Sequence, residues 1–358
     1  MLIVTGIGRN PSGVRSERSG DRAAVPQGGV KASSPPDTCY FCIERTGFPN
    51  DDEISLCYAC TMTTWPDIPE DVIDWFRAVF AEANRKVTER LVNVPNIRET
   101  ALDDGLVEAV IPFSPPRLLP SGAVVEMNVH NIGGLRRLGR WETADIAVLV
   151  FVYRAGTLLA QKIGLLQSKR LYPLNKDVED DDPVGFAYGM NAFLRRDPKS
   201  PLGKAHRQFE FSGDCTYGAL TAGSDQVEVI QRLNDEFGDA IYYLFYNPPL
   251  IPTTVRYPVA SYQTVNHPPL GCRVYAMADV DGVLEGLDEG AAPTLAALEG
   301  AGPASNWRLE TWAGDLLLRC KVGQQFGEDR QEIVGRLIER RSGPIAAAIA
   351  VSIALPEG

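Results

Sequence analysis

The sequence feature that most constrains the fold is a hairpin pattern in residues 142–172. Two apolar runs, 144–153 and 158–169, flank the small residues Ala155 and Gly156, and the first run is rich in β-branched residues. Two such runs joined by a short turn are typical of a β-hairpin. The pattern therefore predicts two long antiparallel strands whose open ends meet at one edge of a sheet.

Polar residues stand at the ends that this hairpin brings together. Glu142 and Asp145 open the first strand, and Gln167, Ser168 and Lys169 close the second. Because side chains alternate faces along a strand, Gln167 and Lys169 share one face. A carboxylate, an amide oxygen and an ammonium at adjacent strand ends suit a hydrated divalent cation and an attacking water. This combination favours hydrolysis of a phosphodiester as the first functional hypothesis.

Helical and strand patterns surround the hairpin, so the predicted fold class is α/β. Apolar positions at helical spacing predict amphipathic helices over 69–92 and 99–110, and a strand is predicted over 123–130. After the hairpin, the sequence predicts a capped helix over 224–238 and a strongly β-prone strand over 240–248.

This succession of elements resembles that of the PD-(D/E)xK nuclease superfamily. The Gln167-Ser168-Lys169 ending, with Gln in place of the usual acidic residue, is most similar to the Mrr-type restriction branch. The resemblance covers about residues 97–248. It implies a restriction-endonuclease-like core of a helix, a three-stranded mixed or antiparallel sheet, a helix and a strand. It also implies that Asp145 binds the metal, that Gln167 is the second-strand ligand and that Lys169 is the catalytic lysine.

Nucleases of this superfamily often add a glutamate from the first helix. The resemblance assigns this role here to Glu99, and Glu108 is the second choice. Gln167 contributes no charge, so Glu142 or Glu99 has to supply the anion that the acidic version of the site contains. The implied catalytic cofactor is Mg²⁺ or Mn²⁺. The implied substrate is nucleic acid, with DNA favoured over RNA, in a bacterial antiviral-defence or restriction-like role.

The charge balance keeps a second hypothesis open. The formal net charge of −11 is unfavourable for attraction to DNA, unless basic clusters such as those in 136–140, 169–170 and 195–207 act locally. Those clusters are otherwise scattered surface charges. The alternative function is a non-catalytic scaffold or recognition subunit that keeps the nuclease fold and docks a partner protein or a second copy of the chain.

The apolar runs are too short to span a bilayer, and the first residues lack the pattern of a signal peptide. We therefore expect a cytoplasmic protein with no membrane partner. The expected organisation is a flexible tail over 1–36, a small cysteine module over 37–64 and a nuclease core over 65–250. The core would contain an irregular insertion, 173–223, and an α-rich extension of unknown role would follow over 251–358.

The cysteine module contains two Cys-x2-Cys pairs, Cys39 with Cys42 and Cys57 with Cys60. This spacing is typical of two zinc knuckles that close one tetrahedral Cys₄ site. Such a site has no open position for a substrate, so we interpret it as structural Zn²⁺. The alternative is two disulfides, which a reducing compartment disfavours.

Metal analysis tests the cysteine module directly. Protein purified under reducing conditions is expected to contain about one zinc ion per chain, because four thiolates complete a structural zinc site. Replacing Cys39 and Cys42 together with Ser should remove the zinc. Metal-free protein, or disulfides among these four cysteines in peptide mass spectrometry, would contradict the assignment.

Overall fold

The first two helices form because their apolar positions repeat at helical spacing. The computed structural model of the chain describes residues 64–132, 144–175, 207–257, 259–327, 331, 334–335 and 345–357. Helix α1 (Glu70–Asn93) buries one continuous apolar face that includes Val72, Phe76 and Phe80, and α2 (Glu99–Val110) packs beside it. Both helices match the predicted ranges. The predicted flexible tail and cysteine module lie outside the described residues.

The main β-structure of the chain is a mixed sheet of nine strands. Its strands are β1 (Arg117–Leu118), β2 (Val124–Asn131), β3 (Ala144–Arg154), β4 (Thr157–Arg170), β7 (Ile241–Tyr246), β9 (Arg273–Ala276), β10 (Trp307–Arg308), β11 (Gln324–Gln325) and β12 (Ile345–Leu355). Eight of them run in the order β1-β2-β12-β3-β4-β7-β9-β10, and β11 also pairs with β4. The expected three-stranded sheet is therefore wrong, although the α/β class is confirmed.

The hairpin at the centre of the sheet is confirmed. Strands β3 and β4 pair antiparallel, with Ile146 opposite Leu166. They turn through Ala155 and Gly156, which both have a positive φ. A two-residue turn of this kind matches the twist of the strands that it joins. Strand β7 then pairs parallel to β4, so that the ends of β4 and β7 lie beside the start of β3.

Strand β12 corrects the expected α-rich extension over 251–358. It lies between β2 and β3, antiparallel to the first and parallel to the second. The sheet thus crosses the expected boundary at residue 250, since β9, β10 and β12 share it with β7. The physical reason is that the run 345–355 is almost wholly apolar, and such a strand has to be covered on both faces.

Smaller elements flank the large sheet. Helix α3 (Asp225–Phe237) begins at Ser224, whose side chain accepts from the Val227 amide, and it ends at Gly238. It is followed by α4 (Met277–Leu284), α5 (Leu295–Gly300) and the single turn α6 (Leu309–Thr311), which continues as a π-helix over Trp312–Leu317. No helix among the described residues is long and apolar enough to cross a bilayer.

A second sheet occupies part of the segment expected to be irregular, 173–223. It consists of β5 (Leu174–Asn175), β6 (Arg207–Phe211) and β8 (Thr253–Tyr257), in the order β5-β6-β8. Within 173–223, β5 and β6 are strands, residues 212–223 are turns and loop as expected, and 176–206 lies outside the described residues. The sequence did not reveal these strands because they are short and their partners are distant.

Because β12 lies between β2 and β3, we expect that shortening one of its buried side chains destabilises the protein. Ile349 is fully buried, so Ile349→Ala should lower the free energy of unfolding by about 2–5 kcal/mol. The matched control is Ala354→Ser, an exposed position of the same strand, which should change it by less than about 0.5 kcal/mol. Urea unfolding followed by circular dichroism measures both. Equal, small effects would mean that β12 lies outside the core.

Candidate active site

Asp145 lies at the start of β3 and is held by three donors. Its Oδ2 atom accepts from the Gln167 Nε2 at 2.5 Å, from the Ser168 amide at 2.7 Å and from the Ser168 Oγ at 3.0 Å. The Asp145 residue is only 7% exposed. The hairpin places these groups together because Asp145 precedes Ile146, whose partner Leu166 precedes Gln167. A charged side chain at this depth needs such partners to offset its desolvation.

The amide oxygen of Gln167 is an acceptor without a hydrogen bond. Gln167 is 1% exposed, and among the contacts of the described residues its Oε1 atom has no hydrogen-bond partner. Its orientation is fixed, because the amide nitrogen has to face the Asp145 carboxylate. Leaving a buried acceptor unpaired costs about 1–3 kcal/mol. A hard cation is a ligand that would satisfy this oxygen.

Lys169 and Glu99 meet on the same edge of the sheet. The Lys169 Nζ lies 3.5 Å from the Glu99 Oε1 and 3.5 Å from the Gln226 Oε1 of α3. Glu99 is the first residue of α2, and its Oε2 also accepts from the Arg170 amide at 2.9 Å. Lys169 is 2% exposed, so the carboxylate of Glu99 is the counter-charge of a buried ammonium.

Burial sets the protonation of Glu99. It raises the pKa of the Glu99 carboxyl above its usual value, and the negative charge of Asp145 raises it further. The ammonium of Lys169 and the Arg170 amide act in the opposite direction. The net result is a glutamate that accepts a proton more readily than an exposed one does.

The structure thus brings together Glu99, Asp145, Gln167 and Lys169 from α2, β3 and β4. Glu108, the second choice for the helix glutamate, is wrong for this site. It is exposed on α2, and its Oε2 lies 3.6 Å from the Arg90 Nη1. A residue nine positions after Glu99 projects away from the first turn of the helix. Glu142 and the cysteines Cys39, Cys42, Cys57 and Cys60 lie outside the described residues.

Sequence reasoning missed Asp103, a third acidic side chain at the site. It is 8% exposed, and its Oδ1 accepts from the Tyr246 hydroxyl at 2.6 Å. Burial, together with the charge of Asp145, raises the pKa of Asp103 well above its usual value. The signal that could have revealed it is its distance of four residues from Glu99, which places both on one face of α2.

The oxygen atoms available at the site suit a hard cation. Within the part of the chain that the structure describes, no three His, Cys, Asp or Glu side chains are grouped to hold a metal ion. The donor set is instead two carboxylates, Glu99 and Asp145, and the amide oxygen of Gln167. Mg²⁺ usually keeps several waters beside one or two carboxylates, so this set fits Mg²⁺ or Mn²⁺ in its chemistry.

Comparisons with known proteins return no protein-family model, no curated protein and no solved structure that matches the chain. The relation to the PD-(D/E)xK superfamily therefore stays a proposal. Any function has to be argued from the chemistry of the residues that meet at this edge of the sheet.

The buried carboxyl of Asp103 predicts a pH-dependent stability. Its pKa is raised in the folded protein, so the stability that its proton contributes is fully present below the unfolded pKa of about 3.9. That stability is lost as the pH rises through the folded pKa. Asp103→Asn keeps an acceptor for Tyr246 and removes the ionisable group. We expect the variant to gain stability relative to the unaltered protein as the pH rises from about 4 to about 8.

Urea unfolding at each pH measures this difference, and Asp104→Asn is the control, since Asp104 is the exposed neighbour on the same helix. Its difference from the unaltered protein should stay nearly constant with pH. An Asp103→Asn difference that is equally constant would show that Asp103 is ionised without cost in the folded state.

Proposed function

We propose that the chain is a metal-dependent nuclease that hydrolyses phosphodiester bonds of nucleic acid, with DNA favoured over RNA. The observation that carries this proposal is the buried amide oxygen of Gln167, which is oriented by Asp145 and has no hydrogen-bond partner among the described residues. It lies on the strand that brings Lys169 to Glu99. These are the positions and residue types that the resemblance to the Mrr-type PD-(D/E)xK nucleases assigns to catalysis.

Glu99, Asp145 and Gln167 would hold the Mg²⁺ or Mn²⁺ ion. When bound, such an ion neutralises charge on the phosphate and lowers the pKa of a coordinated water. The three donors on the Asp145 Oδ2 fix that carboxylate before any ligand arrives. A site that is arranged in advance has little reorganisation to undergo during the reaction.

Lys169 supplies the positive charge that a phosphodiester hydrolase needs. Its ammonium is held between Glu99 and Gln226 and is almost fully buried, so it attracts an anion more strongly than a lysine in water does. In the proposed mechanism it orients the attacking water and stabilises the extra negative charge of the phosphate.

The binding of nucleic acid has to overcome the formal net charge of −11. The basic clusters in 136–140 and 195–207 are the groups that would contact phosphates, and apart from Arg207 they lie outside the described residues. A restriction-like or antiviral-defence role, in bacteria, belongs to the same proposal and rests on the resemblance alone.

A non-catalytic scaffold or recognition subunit is the second candidate. Two observations favour it. Gln167 contributes no charge where the acidic version of the site has a carboxylate, and Asp145, Gln167 and Lys169 are each less than a tenth exposed. A nuclease fold that docks a partner protein would need no access to these groups.

Substitutions in the site decide between the two candidates. Asp145→Asn and Lys169→Met should each reduce cleavage by about 10²-fold or more, because the first weakens metal binding and the second removes a charge that stabilises the transition state. Gln167→Glu restores an anion and should retain or raise activity, whereas Gln167→Leu should abolish it. Plasmid DNA, single-stranded DNA and RNA are incubated with each variant in Mg²⁺ or Mn²⁺.

The matched controls are Asp104→Asn and Lys86→Met, which change the same residue types at exposed positions. Both should cleave at the rate of the unaltered protein. Full activity of Asp145→Asn on every substrate would reject this site. If the unaltered protein cleaves no substrate but binds Mn²⁺ in calorimetry, the non-catalytic scaffold becomes the favoured function of the chain.

A further inference from the structure

A buried lysine whose contacts among the described residues include no carboxylate lies on the other face of β4. Lys162 is 0% exposed, and side-chain alternation places it opposite the face that carries Gln167 and Lys169. Its Nζ lies 3.2 Å from the Cys320 Sγ and 5.5 Å from the centroid of the Trp65 ring. Among the described residues, no carboxylate is within ion-pair distance of this Nζ.

Among the described residues, the hydrogen-bond partner of the Lys162 Nζ is the sulfur of Cys320. Desolvation lowers the pKa of Lys162, while the contact with Cys320 raises it in part. The Nζ and the Sγ lie 3.2 Å apart, the arrangement in which a nucleophile and its base exchange a proton.

The surroundings of Cys320 also suit a reacting thiol. The Gln325 Nε2 donates to the same sulfur at 2.8 Å. Cys320 has a φ of 58°, in the left-handed region that is uncommon for residues other than glycine, and it comes shortly after the π-helix. Both features are frequent at functional sites.

Cys320 is the accessible member of the described cysteines. It is partly exposed and borders a cleft of about 460 Å³, whose walls include Trp65, Leu318 and Lys321. Cys215 and Cys272 are buried, and burial raises the pKa of the Cys272 thiol. A small solute in the cleft therefore meets Cys320, while the other two described cysteines are covered.

We propose that Cys320 is a thiol that reacts with small hydroperoxides, and that Lys162 activates it. The sulfur attacks one peroxide oxygen, so an S–O bond forms as the O–O bond breaks. Sulfur loses two electrons and becomes a sulfenic acid, and the hydroperoxide is the oxidant. The leaving oxygen takes the proton of the Lys162 ammonium, which yields a neutral amine and water or an alcohol. This reaction is independent of the proposed nuclease activity.

Trapping of the sulfenic acid tests the proposal on the full, reduced chain. The protein is exposed to hydrogen peroxide at neutral pH in the presence of a cyclic 1,3-diketone, and each cysteine is followed by peptide mass spectrometry. Cys320 should be labelled at least about tenfold faster than Cys215 or Cys272. Labelling of Cys320 at the rate of the two buried cysteines would overturn the proposal.

Substitution of Lys162 shows whether the reactivity of Cys320 comes from activation by the lysine or from the exposure of Cys320 alone. Lys162→Met should slow the labelling of Cys320 by about tenfold or more. The exposed neighbour provides the control, since Lys321→Met should leave the rate unchanged. Circular dichroism verifies folding, and Lys162→Gln, which keeps a donor without the charge, replaces Lys162→Met if that variant unfolds. An unchanged Cys320 rate in the folded variant would show that exposure alone accounts for the reaction.

Discussion

The register of the β3–β4 hairpin is the constraint on which both chemical sites depend. With Ile146 opposite Leu166, Asp145 reaches Gln167 and Ser168 at the open end of the hairpin. The same alternation directs Lys162 to the opposite face, toward Cys320. A slip of one residue would exchange the two faces of β4, which would separate Asp145 from Gln167 and remove Lys162 from its cysteine. The two proposed sites therefore lie on opposite faces of one strand.

The groups at the open end of the hairpin are arranged at the expense of stability. Glu99 and Asp103 lie close enough to Asp145 that its charge raises both of their pKa values, and burial adds to the effect. An apolar core would avoid this repulsion. Carboxyl groups with perturbed pKa values cluster at functional sites more often than elsewhere. The crowding of Glu99, Asp103 and Asp145 is therefore consistent with the proposed site.

Local patterns predicted the elements around the site, because their signals lie in adjacent residues. The alternation of 144–153 and 158–169 gave β3 and β4, and the cap at Ser224 gave the start of α3. Pairings between distant segments left no such signal. Nothing in the run 345–355 reveals that β12 separates β2 from β3, and the contact of Lys162 with Cys320 joins two segments that sequence reading treats independently. Asp103 stayed hidden because only the packing of α2 against Tyr246 distinguishes it from its exposed neighbour Asp104.

The position of β12 has a consequence for synthesis on the ribosome. Strands β2 and β3 emerge early, yet the strand that lies between them follows only after all the other strands of the sheet have been made. Until then, each presents an unpaired edge that invites aggregation and attracts chaperones. Strand β3 gains its parallel neighbour only when translation has passed Leu355. In the proposed nuclease, the strand that carries Asp145 would therefore complete its backbone pairing only at the end of synthesis.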